Sequence, residues 1–264
     1  MSDDLTILHD DGVLEIAVSL STAGSALDHG AVLAGNEALQ KVMRGSLKAR
    51  AVLLTGRGKN FCAGGNVAYF AAADDRREYL RGLAHDLHTL IASLYSTRLP
   101  VVAAASGWAA GAGMSLVLHA DLAIGGPATR MRPAYPGIGL SPDGGMSWLL
   151  PRIVGLGKAR SILLRDEVID APAAVQLGLL SEITASDDEV AARAREVAAG
   201  LAAGPSGAHT AIRHLLYSSA SNTLAEQLTA EAESIAALSV TAEGMEGVDA
   251  FVAKRAPDFP GARG

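Results

Sequence analysis

The chain has 264 residues, 49% of them hydrophobic and only 4% aromatic, with a formal net charge of −6. That length suits one large domain or two small ones, and the mild acidity without a basic run gives no nucleic-acid footprint. Cys62 is the single cysteine, which excludes an intrachain disulfide and a zinc site built from several cysteines.

Taken in chain order, Met1-Ser2-Asp3-Asp4 is acidic and lacks a signal-peptide profile, and no apolar stretch is long enough to span a bilayer. A soluble cytoplasmic protein with no membrane partner is expected. Val13 to Leu20 alternates and reads as a strand after the Asp10-Asp11-Gly12 turn, with Leu5 to Leu8 as its hairpin partner. Asp28 is an N-cap for a helix from His29 to Met43. Ala51 to Thr55 is a short buried strand. Asp75 to Ser96 reads as a long helix that carries Leu80, Leu83, Leu87, Leu90, Ile91 and Leu94 near one face. Pro100 opens another strand, and Leu122 to Ile124 supplies one more. Alternation of strands and helices argues for an α/β fold with largely parallel pairing. From Asp188 onward the pattern is almost purely helical; Gly204-Pro205 breaks one helix and two or three more follow. Their apolar residues, among them Ile212, Leu216, Leu228 and Ile235, must fold back on the sheet or pack on another subunit.

Two stretches of small residues carry the chemistry. Asn60 to Asn66, Asn-Phe-Cys-Ala-Gly-Gly-Asn, follows a strand; Gly111-Ala112-Gly113 opens an apolar helical run, Met114 to Leu118. Little side-chain bulk lets a ligand approach main-chain N–H groups. One N–H at a strand end and one at a helix start can converge on a single oxygen, as an oxyanion hole for a thioester enolate requires.

Phe61-Cys62-Ala63-Gly64-Gly65-Asn66 resembles the Phe-Cys-Ala-Gly-Gly-Asp signature of the enoyl-CoA hydratase/isomerase (crotonase) superfamily. Leu99 to Ala104 and Gly107 to Gly113 are similar to its second signature, and Ala120 to Ile124 to the strand that follows. Ser141-Pro142-Asp143-Gly144-Gly145 with Leu150 to Gly155, Ala171 to Leu179, and Phe251 to Pro257 resemble later blocks of the same family, in order. The resemblance implies a ββα spiral core over residues 1–200, a helical C-terminal trimerisation region over 201–264, and a homotrimer or homohexamer. It implies an acyl-CoA thioester substrate, with coenzyme A as part of the substrate and no separate cofactor or metal.

The same resemblance places the two N–H donors at Gly65 and Ala112. It assigns coenzyme A contacts to the Ser25-Ala26-Leu27 loop, to Ala63, Gly64 and Asn66, and to the basic pair Lys254 and Arg255. The two glutamates of the family's hydratases match Ser115 and Tyr135 here, and neither is a carboxylate. Tyr135 either donates to the substrate or fills the space of the missing glutamate. Asp143 remains as a carboxylate, at an expected helix N-terminus where an N-cap role competes with proton transfer. One carboxylate beside an enolate is sufficient to move a proton from one carbon to another, so double-bond or ring-opening isomerisation is the expected reaction. The alternatives are hydration with Asp143 alone, hydrolysis or dehalogenation with Asp143 as nucleophile, and acyl-CoA binding without catalysis. His119 follows Ser115 at helical spacing, which allows a weak Ser/His pairing, and solvent exposure is expected for His85 and His88.

Overall fold

The computed structural model describes residues 5–262, so the expectation drawn from Met1 to Asp4 falls outside the described residues. Strand β1 (Thr6–Leu8) pairs antiparallel with β2 (Val13–Leu20) across the predicted turn, with Ile7 opposite Glu15. Helix α1 (His29–Met43) starts where expected: the Asp28 side chain accepts from the Ala31 N–H at 2.8 Å. It returns the chain to β3 (Ala51–Arg57), which pairs in parallel with β2. β3 runs past the predicted Thr55 because the ladder shifts register after Ala17 and then continues to Leu20 opposite Arg57.

Helices α2 (Val67–Ala72) and α3 (Arg76–Ser96) lead to β4 (Val101–Ala105). After it come β5 (Trp108–Ala110), α4 (Ala112–Leu118), β6 (Leu122–Gly125) and β7 (Arg130–Arg132). Helices α5 (Met146–Val154) and α6 (Leu156–Arg165) precede β8 (Ile169–Asp170), α7 (Ala171–Gln176) and β9 (Glu182–Ile183). The main sheet has the order β1-β2-β3-β4-β6-β9, all parallel after the first pair. A second sheet, β5-β7-β8, was not legible as a separate unit in the sequence, because its strands are only two or three residues long.

Strand alternation divides the core between the two faces of the main sheet. Leu14, Ile16, Val52, Leu54 and Ala103 face Val32 and Leu39 of α1 and Leu87, Leu90 and Leu94 of α3. Val13, Leu53, Val102 and Ala104 face α8 (Val190–Ala203) through Val190, Ala194, Ala198 and Ala202. That four-residue spacing of small side chains lets the helix lie close on the sheet, which explains a core with few aromatics.

The tail holds α9 (Ser206–Ser218), α10 (Leu224–Ser239), α11 (Ala242–Val252) and the single turn α12 (Phe259–Ala262), one element more than the upper expectation. Arg213 fastens α9 to the core, donating to Asp121 at 2.8 Å and to the Leu99 carbonyl at 2.5 Å. The Glu243 carboxylate of α11 accepts from the Ser206 and Gly207 N–H groups that open α9. Neither α9 nor α10 buries a residue in the single chain.

Candidate active site

Residues 61–63 run alongside β5. The Cys62 N–H donates to the Trp108 carbonyl at 3.0 Å, and the Ala110 N–H donates to the Cys62 carbonyl at 2.8 Å. This zipper sets Gly64 against Gly111. Gly111 has φ 53° and ψ −122°, a conformation that side chains resist, and a Cβ there would sit 3.4 Å from the Gly64 Cα. Gly113 is held still more tightly, since its Cβ would fall 2.2 Å from the Cys62 carbonyl oxygen. Gly65 and Ala112 therefore end up on the wall of one cavity of about 570 Å³. Among the described residues, no protein acceptor engages either amide N–H. Cys62 itself is sealed beneath the loop, where burial pushes its thiol up to about 12.

Asp143 lies on the same wall. It is not the helix cap that the sequence suggested: α5 begins at Met146, behind Gly145 with φ 74°. The two glycines place the carboxylate ahead of the helix, and it accepts a hydrogen bond from the Tyr135 hydroxyl at 2.6 Å. Burial first, and then the charge of Asp143, raise the Tyr135 phenol above its ordinary range, so it stays a donor. Ser115 is fully buried; its hydroxyl donates to the Asp143 carbonyl at 3.1 Å and lies 3.4 Å from the Tyr135 hydroxyl. The two positions that match the hydratase glutamates thus hold the loop and side chain of Asp143.

The Gly144 peptide groups are gripped from both sides. Its N–H donates to His88 Nε2 at 3.1 Å, and its carbonyl accepts from His119 Nε2 at 2.8 Å. A carbonyl takes only a donor, so His119 carries its proton on Nε2 and accepts from the Tyr95 hydroxyl through Nδ1 at 2.9 Å. Burial lowers its pKa, and His88 adds to that. His119 therefore does not make the Ser115 pairing that the sequence allowed, while His88 is exposed as expected and its ring is also tied to the site loop. His85 is exposed.

Two residues on the cavity wall had no sequence signal. Arg132 donates through Nε at 3.0 Å and Nη2 at 2.6 Å to one oxygen of Asp166. The other Asp166 oxygen accepts from the Ala134 N–H at 2.7 Å. Burial raises the Asp166 carboxyl, but these donors outweigh it and hold it below the usual range. The pair is separated by more than thirty positions in the chain, and only the packing of α6 beside the second sheet joins it.

Of the expected coenzyme A contacts, Leu27, Ala63 and Gly64 line the cavity. Ser25 is buried behind them, its carbonyl accepting from the Ala63 N–H at 2.8 Å, while the Leu27 N–H donates to Gly64 at 2.7 Å. Ala26 lies between these two links. Asn66 caps α2, accepting from the Ala68 N–H at 3.1 Å. Lys254 and Arg255 are exposed beyond α11 and do not line the cavity; Arg255 is paired with Glu246 through both guanidinium ends at 2.6 and 2.7 Å. Among the described residues, no three His, Cys, Asp or Glu side chains gather as metal ligands, and no helix is long and apolar enough to cross a membrane.

Comparison with known proteins shows the family. A family model described as enoyl-CoA hydratase/isomerase matches residues 9–262. A Rhodobacter capsulatus protein named a probable enoyl-CoA hydratase is 41% identical over 215 residues, 81% of this chain and 82% of its own. The 1,2-epoxyphenylacetyl-CoA isomerase of Escherichia coli is 34% identical over 233 residues, 85% of this chain and 86% of its own. Among solved structures, an enoyl-CoA hydratase from Polaromonas superposes with a TM-score of 0.88 at 34% identity, covering 96% of this chain and 97% of that one.

Proposed function

This chain belongs to the enoyl-CoA hydratase/isomerase family, and from that membership we propose that it isomerises an acyl-CoA thioester, shifting a double bond or opening a strained ring through an enolate. The observation that carries the reading is Asp143. Two carboxylates line the cavity, and Asp166 is bound to Arg132, whereas Asp143 accepts from a neutral phenol. Asp143 is thus the carboxylate available to take a proton.

In the proposed reaction the thioester carbonyl accepts from the Gly65 and Ala112 N–H groups. Asp143 removes a proton from the carbon beside the carbonyl, and the electron pair moves into the enolate held by those N–H groups. The protonated Asp143 then returns the proton to a carbon further along the conjugated system, and the carbonyl re-forms. No water enters the balance. Tyr135 steadies the carboxylate between the two steps. The apolar wall of Val67, Phe70, Leu80 and Leu83 takes the acyl chain. In the same reading, the loop of Ser25, Ala26 and Leu27 with Ala63, Gly64 and Asn66 builds the wall for the pantetheine and adenine, Ser25 supporting it from behind, and Lys254 and Arg255 meet the nucleotide phosphates. Residues 1–200 form the catalytic unit, and 201–264 assemble it as a trimer or a pair of trimers.

Incubation of 3-enoyl-CoA thioesters in deuterated water, followed by mass spectrometry, tests the reaction type. A product of unchanged formula with its double bond moved into conjugation is expected, and deuterium enters it to the extent that protonated Asp143 exchanges with solvent before returning the proton. A product heavier by one water identifies a hydratase instead, and free coenzyme A identifies a hydrolase.

A further inference from the structure

Arg132 and Asp166 lie on the cavity wall, yet the proton-transfer reaction leaves them without a role. A guanidinium has five N–H donors, and Asp166 takes two of those on Arg132. Among the described residues, no protein acceptor engages the others. Asp166 differs: both of its oxygens are engaged, and its side chain is only 11% exposed against 41% for Arg132. Asp166 and Ala134 both adopt the disfavoured positive φ, 52° and 60°, and the Ala134 N–H bond to Asp166 at 2.7 Å holds them there. Gly137 keeps the wall open beside the pair; a Cβ there would stand 3.3 Å from Asp166 Oδ2 and 3.6 Å from Arg132 Nη2.

The remaining wall is largely apolar, with Leu80, Leu83, Ile138 and Leu140. A plain hydrocarbon pressed over Arg132 strips water from its free donors and returns nothing. An acyl group with an oxygen acceptor replaces that water. The charge of Arg132 is already balanced by Asp166, so a neutral oxygen needs only the free N–H groups. A second carboxylate would instead crowd the first.

We propose that Arg132, positioned by Asp166, is a specificity-determining residue that receives a neutral oxygen (hydroxyl, carbonyl or ether) carried by the acyl group. The substrate class is then an oxygenated acyl-CoA. This rests on the acyl-CoA reading above. The phosphates of coenzyme A offer oxygen acceptors too, so the test separates the two sources.

Wild type, Arg132→Met and Asp166→Asn are compared on 3-enoyl thioesters of one chain length ending in methyl, hydroxyl or carboxylate. Each is made both as the coenzyme A ester and as the nucleotide-free N-acetylcysteamine ester. Wild type should favour the hydroxylated chain over the hydrocarbon by about tenfold or more in kcat/KM, with both thiol carriers. Arg132→Met should bring that ratio close to one. Asp166→Asn frees positive charge and should shift preference toward the carboxylate by about tenfold, a reading that survives if Arg132→Met fails to fold. Equal wild-type rates on the hydroxylated and hydrocarbon chains overturn the proposal, as does a ratio unchanged in Arg132→Met. A loss confined to coenzyme A esters overturns it in favour of the phosphates, and a wild-type preference for carboxylate overturns the neutral acceptor. The same ratios are read as calorimetric Kd values, so binding without turnover would refute the isomerase reading and leave this test standing.

Discussion

At the residue scale the site depends on Asp143 and on what holds it. Asp143→Asn keeps the size and can still accept from Tyr135, but it cannot exchange a proton near neutral pH. Turnover should fall by roughly two to four orders of magnitude, with thioester affinity nearly unchanged in calorimetry. Full activity would leave Asp143 a structural residue. Tyr135→Phe removes one hydrogen bond to a charged group and should cost only about tenfold. His119 gives a pH signature. Its folded pKa lies below the ordinary 6.5, mainly through burial. Protonation therefore favours the unfolded chain, and the stability His119 contributes is complete above about 6.5 and declines as pH falls through the folded pKa. The melting temperature of wild type should drop more steeply below that pH than that of His119→Gln, whose amide can still donate to Gly144. Parallel curves would contradict the assignment.

At the element scale, the oxyanion-hole geometry belongs to two backbone segments clamped together without side chains between them. The 61–63 segment is hydrogen-bonded to β5, and α4 starts where Gly113 passes over Cys62. Gly113→Ala would drive a methyl group into the Cys62 carbonyl, forcing the segments apart. We expect a loss of about 3 kcal/mol or more in denaturant unfolding, with activity lost faster than stability under conditions where the variant is folded. Wild-type stability in Gly113→Ala would mean that the approach is looser than described. Ala112 contrasts with it, because only its N–H is used and a methyl group is already accommodated there.

At the scale of the whole molecule, the helical tail is incompletely buried. Leu216 is 69% exposed, Ile235 72% and Phe251 84%, in a tail that Arg213 fastens to the core and in which Glu243 ties α11 to α9. Apolar area of this kind is covered when subunits associate. Sedimentation at micromolar concentration should show a species heavier than the 27.0 kDa chain, with a trimer or hexamer expected. A stable monomer would remove the assembly and require the tail to be functional by itself.

The sequence by itself determined what depends on local chemistry and on period. Asp28 capping α1, the run from Asp75 to Ser96, the parallel alternation of the core and the two glycine segments were all legible. Each is set by neighbours a few positions apart, where capping, hydrophobic period and backbone freedom act. The family resemblance rested on those same segments, and the comparisons agree with it. Tertiary structure decided the rest. Asp143 looked like a cap because it precedes a helix, but the two positive-φ glycines after it free its side chain for Tyr135. His88 and His119 meet at Gly144 only because α3 and α4 pack on either side of that loop. Arg132 finds Asp166 across the two helices α5 and α6. Such contacts come from the closing of the chain upon itself, and hydrogen-bond geometry over a few ångströms leaves no periodic trace in a linear sequence.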